Sequence, residues 1–129
     1  MTAGKVLIIE DIQMNMELAT DLLEVAGYKV LQAETAETGI EKARTESPDL
    51  ILMDVGLPGM DGLTATGILK QDQLTKNIPI IALTSHAMME DKDKFLAAGC
   101  DGYITKPIDT RDFPKLVARF LEQSARGGR

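Results

Sequence analysis

Two unbroken apolar runs, each ended by carboxylates, constrain this chain more than any other feature. Val6-Leu7-Ile8-Ile9 leads into Glu10-Asp11, and Leu50-Ile51-Leu52-Met53 leads into Asp54. Four apolar residues in succession suit a strand buried on both faces, as in a parallel sheet covered by helices. In an open parallel sheet the ligand crevice lies beyond the carboxyl ends of the strands. If the two runs are neighbouring strands, three carboxylates meet at one edge. Two unit charges ~4 Å apart repel by roughly 4 kcal/mol at an effective dielectric of about 20. Such crowding needs a cation, a proton or much water, and a bound divalent metal is the simplest relief.

The rest of the chain alternates strand-like and helix-like patterns. Met14, Leu18, Leu22 and Val25 recur at helical spacing and stop at Gly27, a residue suited to a left-handed helix end. Tyr28–Ala33 reads as a weaker second strand. Thr35 is placed to cap a helix carrying Ala36, Ile40 and Ala43, which Ser47-Pro48 breaks. Gly56, Pro58, Gly59 and Gly62 mark a loop before a short helix over Leu63–Lys70. Ile80–Leu83 is the fourth strand. A charged helix follows from about Ala87 to Ala98, with Gly99 as its stop, and then a short strand, Gly102–Ile104. Phe113, Leu116, Val117, Phe120 and Leu121 form the clearest helical stripe. Five β-α units with short connections predict a doubly wound α/β domain around a five-stranded parallel sheet. The domain is expected over residues 1–125, with a flexible C-terminal tail over 126–129.

Composition narrows the function. A chain of 129 residues is one domain with room for one sizeable core. A net charge of −6 and a pI near 4.7 argue against binding a nucleic-acid backbone. The single cysteine, Cys100, excludes an intramolecular disulfide and a cysteine-rich zinc site, and is expected to be a small buried residue. No stretch approaches the ~20 apolar residues of a membrane span, and the N-terminus lacks a signal-peptide pattern. A cytoplasmic protein without membrane contact is the expectation.

Two further strands add to the acidic edge. Thr84 closes the run Ile80–Leu83, and Lys106 follows Tyr103-Ile104-Thr105. Three carboxylates, a hydroxyl and an ammonium make a site for a metal ion together with a highly charged anion, and phosphoryl groups need that combination. With these residues in this order, the sequence resembles a response-regulator receiver domain of two-component signalling over nearly its whole length. Glu10-Asp11, Asp54 within Leu52-Met53-Asp54-Val55, Leu57-Pro58, Asp61-Gly62, Thr84 and Lys106-Pro107 carry the resemblance.

The resemblance implies a flavodoxin-like sheet of strand order 2-1-3-4-5 with five helices. It also implies that Asp54 accepts a phosphoryl group from a phosphohistidine on a sensor histidine kinase or a histidine phosphotransferase. Mg²⁺, with Mn²⁺ able to take its place, would be held by Asp11, Asp54 and the carbonyl of Gly56, and by Glu10 mainly through water. Thr84 and Lys106 would contact the phosphoryl oxygens. Tyr103 resembles the aromatic that swings inward when that threonine moves, changing the surface of the fourth helix, fifth strand and fifth helix. A cis bond is expected at Lys106-Pro107. Gly56 and His86, two residues past the phosphoacceptor and the threonine, are expected to tune dephosphorylation. The implied role is a stand-alone regulator that signals by protein contacts, as a relay shuttle or an allosteric regulator, rather than an enzyme.

Two departures bear on partner choice more than on chemistry: Ile12 stands where many receivers carry a polar residue, and Asn15 matches a subset of them. Met88-Met89 reads as packing, and the run from Glu90 to Lys94 as the solvated face of a movable helix. An Asp-nucleophile phosphatase of the haloacid-dehalogenase type would need D-x-D where Glu10-Asp11-Ile12 stands. Nucleotide binding on this topology lacks G-x-G-x-x-G and P-loop motifs. A calcium loop from Asp54 fails because Gly56, Pro58 and Ala65 fall at ligand positions. A receiver-like scaffold that works without phosphorylation is the remaining alternative.

Overall fold

A computed structural model describes residues 4–85 and 89–127. The elements alternate throughout: β1 (Lys5–Ile9), α1 (Gln13–Val25), β2 (Lys29–Ala33), α2 (Ala36–Glu46), β3 (Leu50–Asp54), α3 (Gly62–Gln71), β4 (Ile80–Thr84), α4 (Met89–Ala98), β5 (Gly102–Thr105) and α5 (Phe113–Gly127). All strand pairs are parallel, and the sheet order is β2-β1-β3-β4-β5. This is the doubly wound, flavodoxin-like topology expected from the sequence.

Side chains alternate across the sheet and build a core on each face. Val6, Ile8, Leu50, Leu52, Ile81, Leu83 and Ile104 pack against α1 and α5 through Met16, Ala19, Leu23, Phe113 and Val117. Leu7, Ile9, Ile51, Met53 and Ile80 pack against α2 and α3 through Ala36, Ala43, Ala65 and Leu69. A smaller cluster of Ala82, Phe95 and Cys100 joins α4 to the same side. Every residue of β3 and β4 is buried, which accounts for their continuous apolar spelling.

Local chemistry sets the helix ends. The Thr35 hydroxyl accepts from the Thr38 N–H, and the Asp61 carboxylate accepts from the Thr64 N–H. Ser47 ends α2 in the left-handed region at φ 49°, and Gly27 and Gly99 follow α1 and α4 at φ 100° and 108°. Among the described residues, no helix is long and apolar enough to cross a membrane.

The helix expected around Met14–Val25 is present as α1, and the face it buries is a different one. The stripe Met14, Leu18, Leu22 and Val25 is not the face that α1 buries. Met16, Ala19, Thr20 and Leu23 face the sheet, whereas Met14 and Val25 are 79% and 90% exposed. Small residues let α1 approach closely, and Thr20 accepts a hydrogen bond from Gln32 Nε2 at 2.9 Å. At the other end of the chain, α5 continues to Gly127, two residues past the expected domain boundary. Ala125 and Arg126 are strong helix formers, and nothing before Gly127 stops the helix.

Candidate functional site

Strand register assembles the site. Ile9 pairs with Met53, Asp54 with Leu83, and Thr84 with Thr105. Backbone bonds continue past the last ladder pairs, from Glu10 N to Ala33 O at 3.0 Å, Val55 N to Leu83 O at 3.2 Å and Lys106 N to Thr84 O at 2.7 Å. Glu10, Asp54, Thr84 and Lys106 therefore stand together at the carboxyl edge. Alternation then sorts them by face. Glu10 is in phase with Val6 and Ile8, Asp54 with Leu50 and Leu52, and Lys106 with Ile104, so all three belong to the α1–α5 side. Thr84 and Tyr103 have the opposite phase and belong to the α4 side.

The three in-phase residues meet. Lys106 Nζ lies 3.3 Å from Glu10 Oε1 and 3.2 Å from Asp54 Oδ1, and both carboxylates are buried. Asp54 Oδ1 also accepts from the Gly56 N–H at 2.9 Å, and Glu10 Oε2 from the Ile12 N–H at 3.2 Å. Glu10, Asp11 and Asp54 each offer an oxygen within 4.8 Å of the others, and Asp11 is exposed. An open cavity of about 350 Å³ adjoins them, lined by Asp11, Ile12, Asp54, Gly56, Thr84 and Lys106 among others.

One ammonium faces two buried carboxylates, so the edge is short of positive charge. Burial pushes Glu10 up from 4.5 to about 7, its hydrogen bond to Asp54 and the Asp54 charge add to the rise, and the Ile12 N–H and Lys106 oppose it. Burial alone would lower Lys106, but Asp54 and Glu10 outweigh it and raise its pKa. The proton that Glu10 holds near neutrality stands where a metal could supply charge instead. The donors are all hard oxygens, which suits Mg²⁺, Ca²⁺ or Mn²⁺ rather than a thiolate-binding metal. The acidic cluster fits metal binding.

The sequence matches the response regulator receiver domain over residues 6–118. This chain belongs to the response regulator receiver family. It is 40% identical over 116 residues to the polar-differentiation response regulator DivK of Brucella ovis, covering 90% of this chain and 94% of that protein. The chemotaxis response regulator CheY4 of Vibrio cholerae superposes with a TM-score of 0.88 at 28% identity, covering 92% of this chain and 99% of that one. The receiver domain of the sensor histidine kinase PA1611 from Pseudomonas aeruginosa has a magnesium ion coordinated in its active-site cleft. Its TM-score is 0.84 at 29% identity, covering 92% of this chain and 98% of that one. Receiver domains are signalling proteins of two-component systems that interact with histidine kinases or phosphotransferases, and they are not enzymes in the usual sense.

The receiver fold brings Glu10, Asp11, Asp54, Gly56, Thr84 and Lys106 to one place. Pro107 follows a cis bond, as expected. Tyr103 pairs with Ala82 in the ladder, stands 6.4 Å from the Phe95 ring and lies under Lys92 Nζ at 5.2 Å from its centroid. His86 lies outside the described residues. Sequence reasoning missed the two backbone amides that hold the buried carboxylates. Each lies two residues after its carboxylate, a turn spacing that is the one available signal.

Proposed function

We propose that this chain is a single-domain response regulator that takes a phosphoryl group onto Asp54 from a phosphohistidine donor. The observation that carries the reading is Lys106 Nζ bridging two buried carboxylates, Glu10 and Asp54, beside the exposed Asp11. An oxygen of Asp54 attacks phosphorus, the P–N bond to the donor imidazole breaks, and its electron pair stays on that nitrogen, which then takes up a proton. The Gly56 N–H and Lys106 fix the attacking carboxylate, and Lys106 is placed to follow charge onto the phosphoryl oxygens.

Asp11, Asp54, the Gly56 carbonyl and, through water, Glu10 would hold Mg²⁺ or Mn²⁺. When bound, the metal would supply positive charge that offsets the negative charge gathered at this edge. Thr84, 2% exposed at the same cavity, supports a hydroxyl contact to the transferred group. Its phase places it on the side of Tyr103 and α4, which supports output through α4, β5 and α5 as a shift between two packings.

Ile12 and Leu18 are 51% and 39% exposed, and Leu18 shares an apolar groove with Pro107 and Ile108 beside Lys106. That surface suits docking of the donor protein. A Cβ at Gly56 would meet only Asp54 Oδ1, at 3.6 Å, so this side leaves water an approach. Gly56→Asn and His86→Ala are expected to change the dephosphorylation rate, and unchanged rates would remove both residues from that role. A cytoplasmic location, and action as a relay shuttle or allosteric regulator, complete the reading.

The test is incubation with Mg²⁺ and phosphoramidate, followed by intact-mass measurement. One added phosphoryl on the wild type and none on Asp54→Asn is the expected result. A wild type that gains nothing would indicate a phosphorylation-independent scaffold. Steady phosphate release from unrelated phosphoesters would indicate a phosphatase.

A further inference from the structure

We propose that Gly62 is a positioning residue for the phosphoacceptor: the missing side chain lets the first turn of α3 rest on the Asp54 backbone and so sets where the Asp54 carboxylate stands. The inference rests on the reading of Asp54 as nucleophile. A Cβ at Gly62 would fall 2.3 Å from Asp54 O, 2.9 Å from Val55 Cα and 3.0 Å from Asp54 C. All three are backbone atoms, which cannot turn aside as a flexible side chain can.

Gly62 therefore serves by its size, where Gly27 and Gly99 serve by their positive φ. Gly39 gives the contrast. A Cβ there would approach Ile9 Cδ1 at 2.3 Å, the far end of a side chain that has other rotamers.

Neither side of the contact yields readily. The Asp61 carboxylate caps α3 through the Thr64 N–H, and the Gly62 carbonyl accepts from the buried Thr66 hydroxyl at 2.8 Å. The segment it touches is held across β4 by Val55 N to Leu83 O. An added methyl must move either α3 or the Asp54–Val55 peptide. Movement of that peptide carries the carboxylate away from the Gly56 N–H and Lys106 Nζ, now at 2.9 and 3.2 Å. Displacements of about 1 Å at a reacting group cost on the order of 100-fold in rate.

Gly62→Ala is the test, with Gly67→Ala as the counterweight. Gly67 lies in the same helix, and a Cβ there would meet nothing within 4 Å, so alanine at 67 stabilises α3 without touching the site. Three quantities are measured: thermal midpoint, initial rate of phosphoryl uptake from saturating phosphoramidate with Mg²⁺, and the metal-free amide resonance of Gly56. Gly62→Ala is expected to slow uptake tenfold or more and to shift the Gly56 amide. The double variant is expected to recover the thermal midpoint while uptake stays slow.

Uptake that returns with the midpoint would overturn the proposal, as would a wild-type rate and an unmoved Gly56 amide in Gly62→Ala. A double variant that does not fold would overturn it too, since the contact would then serve the fold rather than the carboxylate. If the wild type takes up no phosphoryl, the reading of Asp54 fails, and the Gly56 amide alone decides the positioning claim.

Discussion

Replacing Glu10 with glutamine isolates the electrostatic strain at the sheet edge. Glu10 is 2% exposed, and its pKa rises from 4.5 to about 7 because burial, then Asp54, disfavour its ionised form. Below pH 4.5 it is protonated in both folded and unfolded chains and stability is unaffected. Between pH 4.5 and about 7 the unfolded chain releases the proton while the folded chain keeps it, so stability falls as pH rises. As pH rises past about 7 the folded chain also releases its proton, and the loss levels off. At 1.36 kcal/mol per pKa unit the full loss is about 3 kcal/mol. That is a large part of the roughly 5–15 kcal/mol by which domains are stable.

Glutamine matches the shape, can accept from the Ile12 N–H and can donate towards Asp54 as protonated Glu10 does. It does not ionise. Urea unfolding of the metal-free proteins from pH 4.5 to 8.5 should therefore show wild type losing about 3 kcal/mol relative to Glu10→Gln. At a typical urea slope of about 1–3 kcal/mol per molar, the midpoints separate by roughly 1–3 M. Added Mg²⁺ should narrow the gap by stabilising wild type more than the variant. A flat difference curve between pH 5 and 7.5 would refute the reasoning.

Lys106→Met should tighten Mg²⁺ binding by on the order of tenfold in calorimetric titration, because ammonium and metal draw on the same carboxylate. An ammonium–carboxylate contact at this separation carries roughly 5 kcal/mol at an effective dielectric of about 20, and weaker binding in the variant would contradict the shared-charge account. On α1, Leu23→Ala should cost about 2–5 kcal/mol in denaturant unfolding, while Met14→Ala and Val25→Ala should stay within about 0.5 kcal/mol. Equal losses at the three positions would mean that the buried face is wrongly assigned. Asp61→Ala should lower stability by about 1 kcal/mol by removing the cap on α3, and no loss would show that water replaces it.

The strands were the most legible part of the sequence. β1, β3 and β4 are covered on both sides, so their spelling is nearly all apolar, and the polar residue that ends each run marks the sheet edge. Glu10, Asp11, Asp54 and Thr84 could be found for that reason, and Lys106 by its place just past the short fifth strand. α5 was legible as well, because Phe113 and Val117 bury large side chains at helical spacing. α1 was legible as a helix but its buried face was not, since that face joins Met16 and Leu23 through Ala19 and Thr20, which carry little hydrophobic signal. The amides of Ile12 and Gly56 and the close approach at Gly62 depend on backbone geometry and leave almost no trace in residue type.

The alternation of side chains at the strand ends has a consequence for traffic through the domain. Asp54 pairs with Leu83, and Thr84 is the next residue along β4 but belongs to the opposite face. On the proposed reading, a message arrives at Asp54 on the side of α1 and passes to Thr84 beneath α4, crossing the sheet in a single residue step. On that reading, a protein that loads Asp54 beside α1 and one that senses α4 would share only the α5 side of the domain. Substitutions on α1 or on α4 would then retune one conversation without the other, whereas substitutions on α5 would touch both.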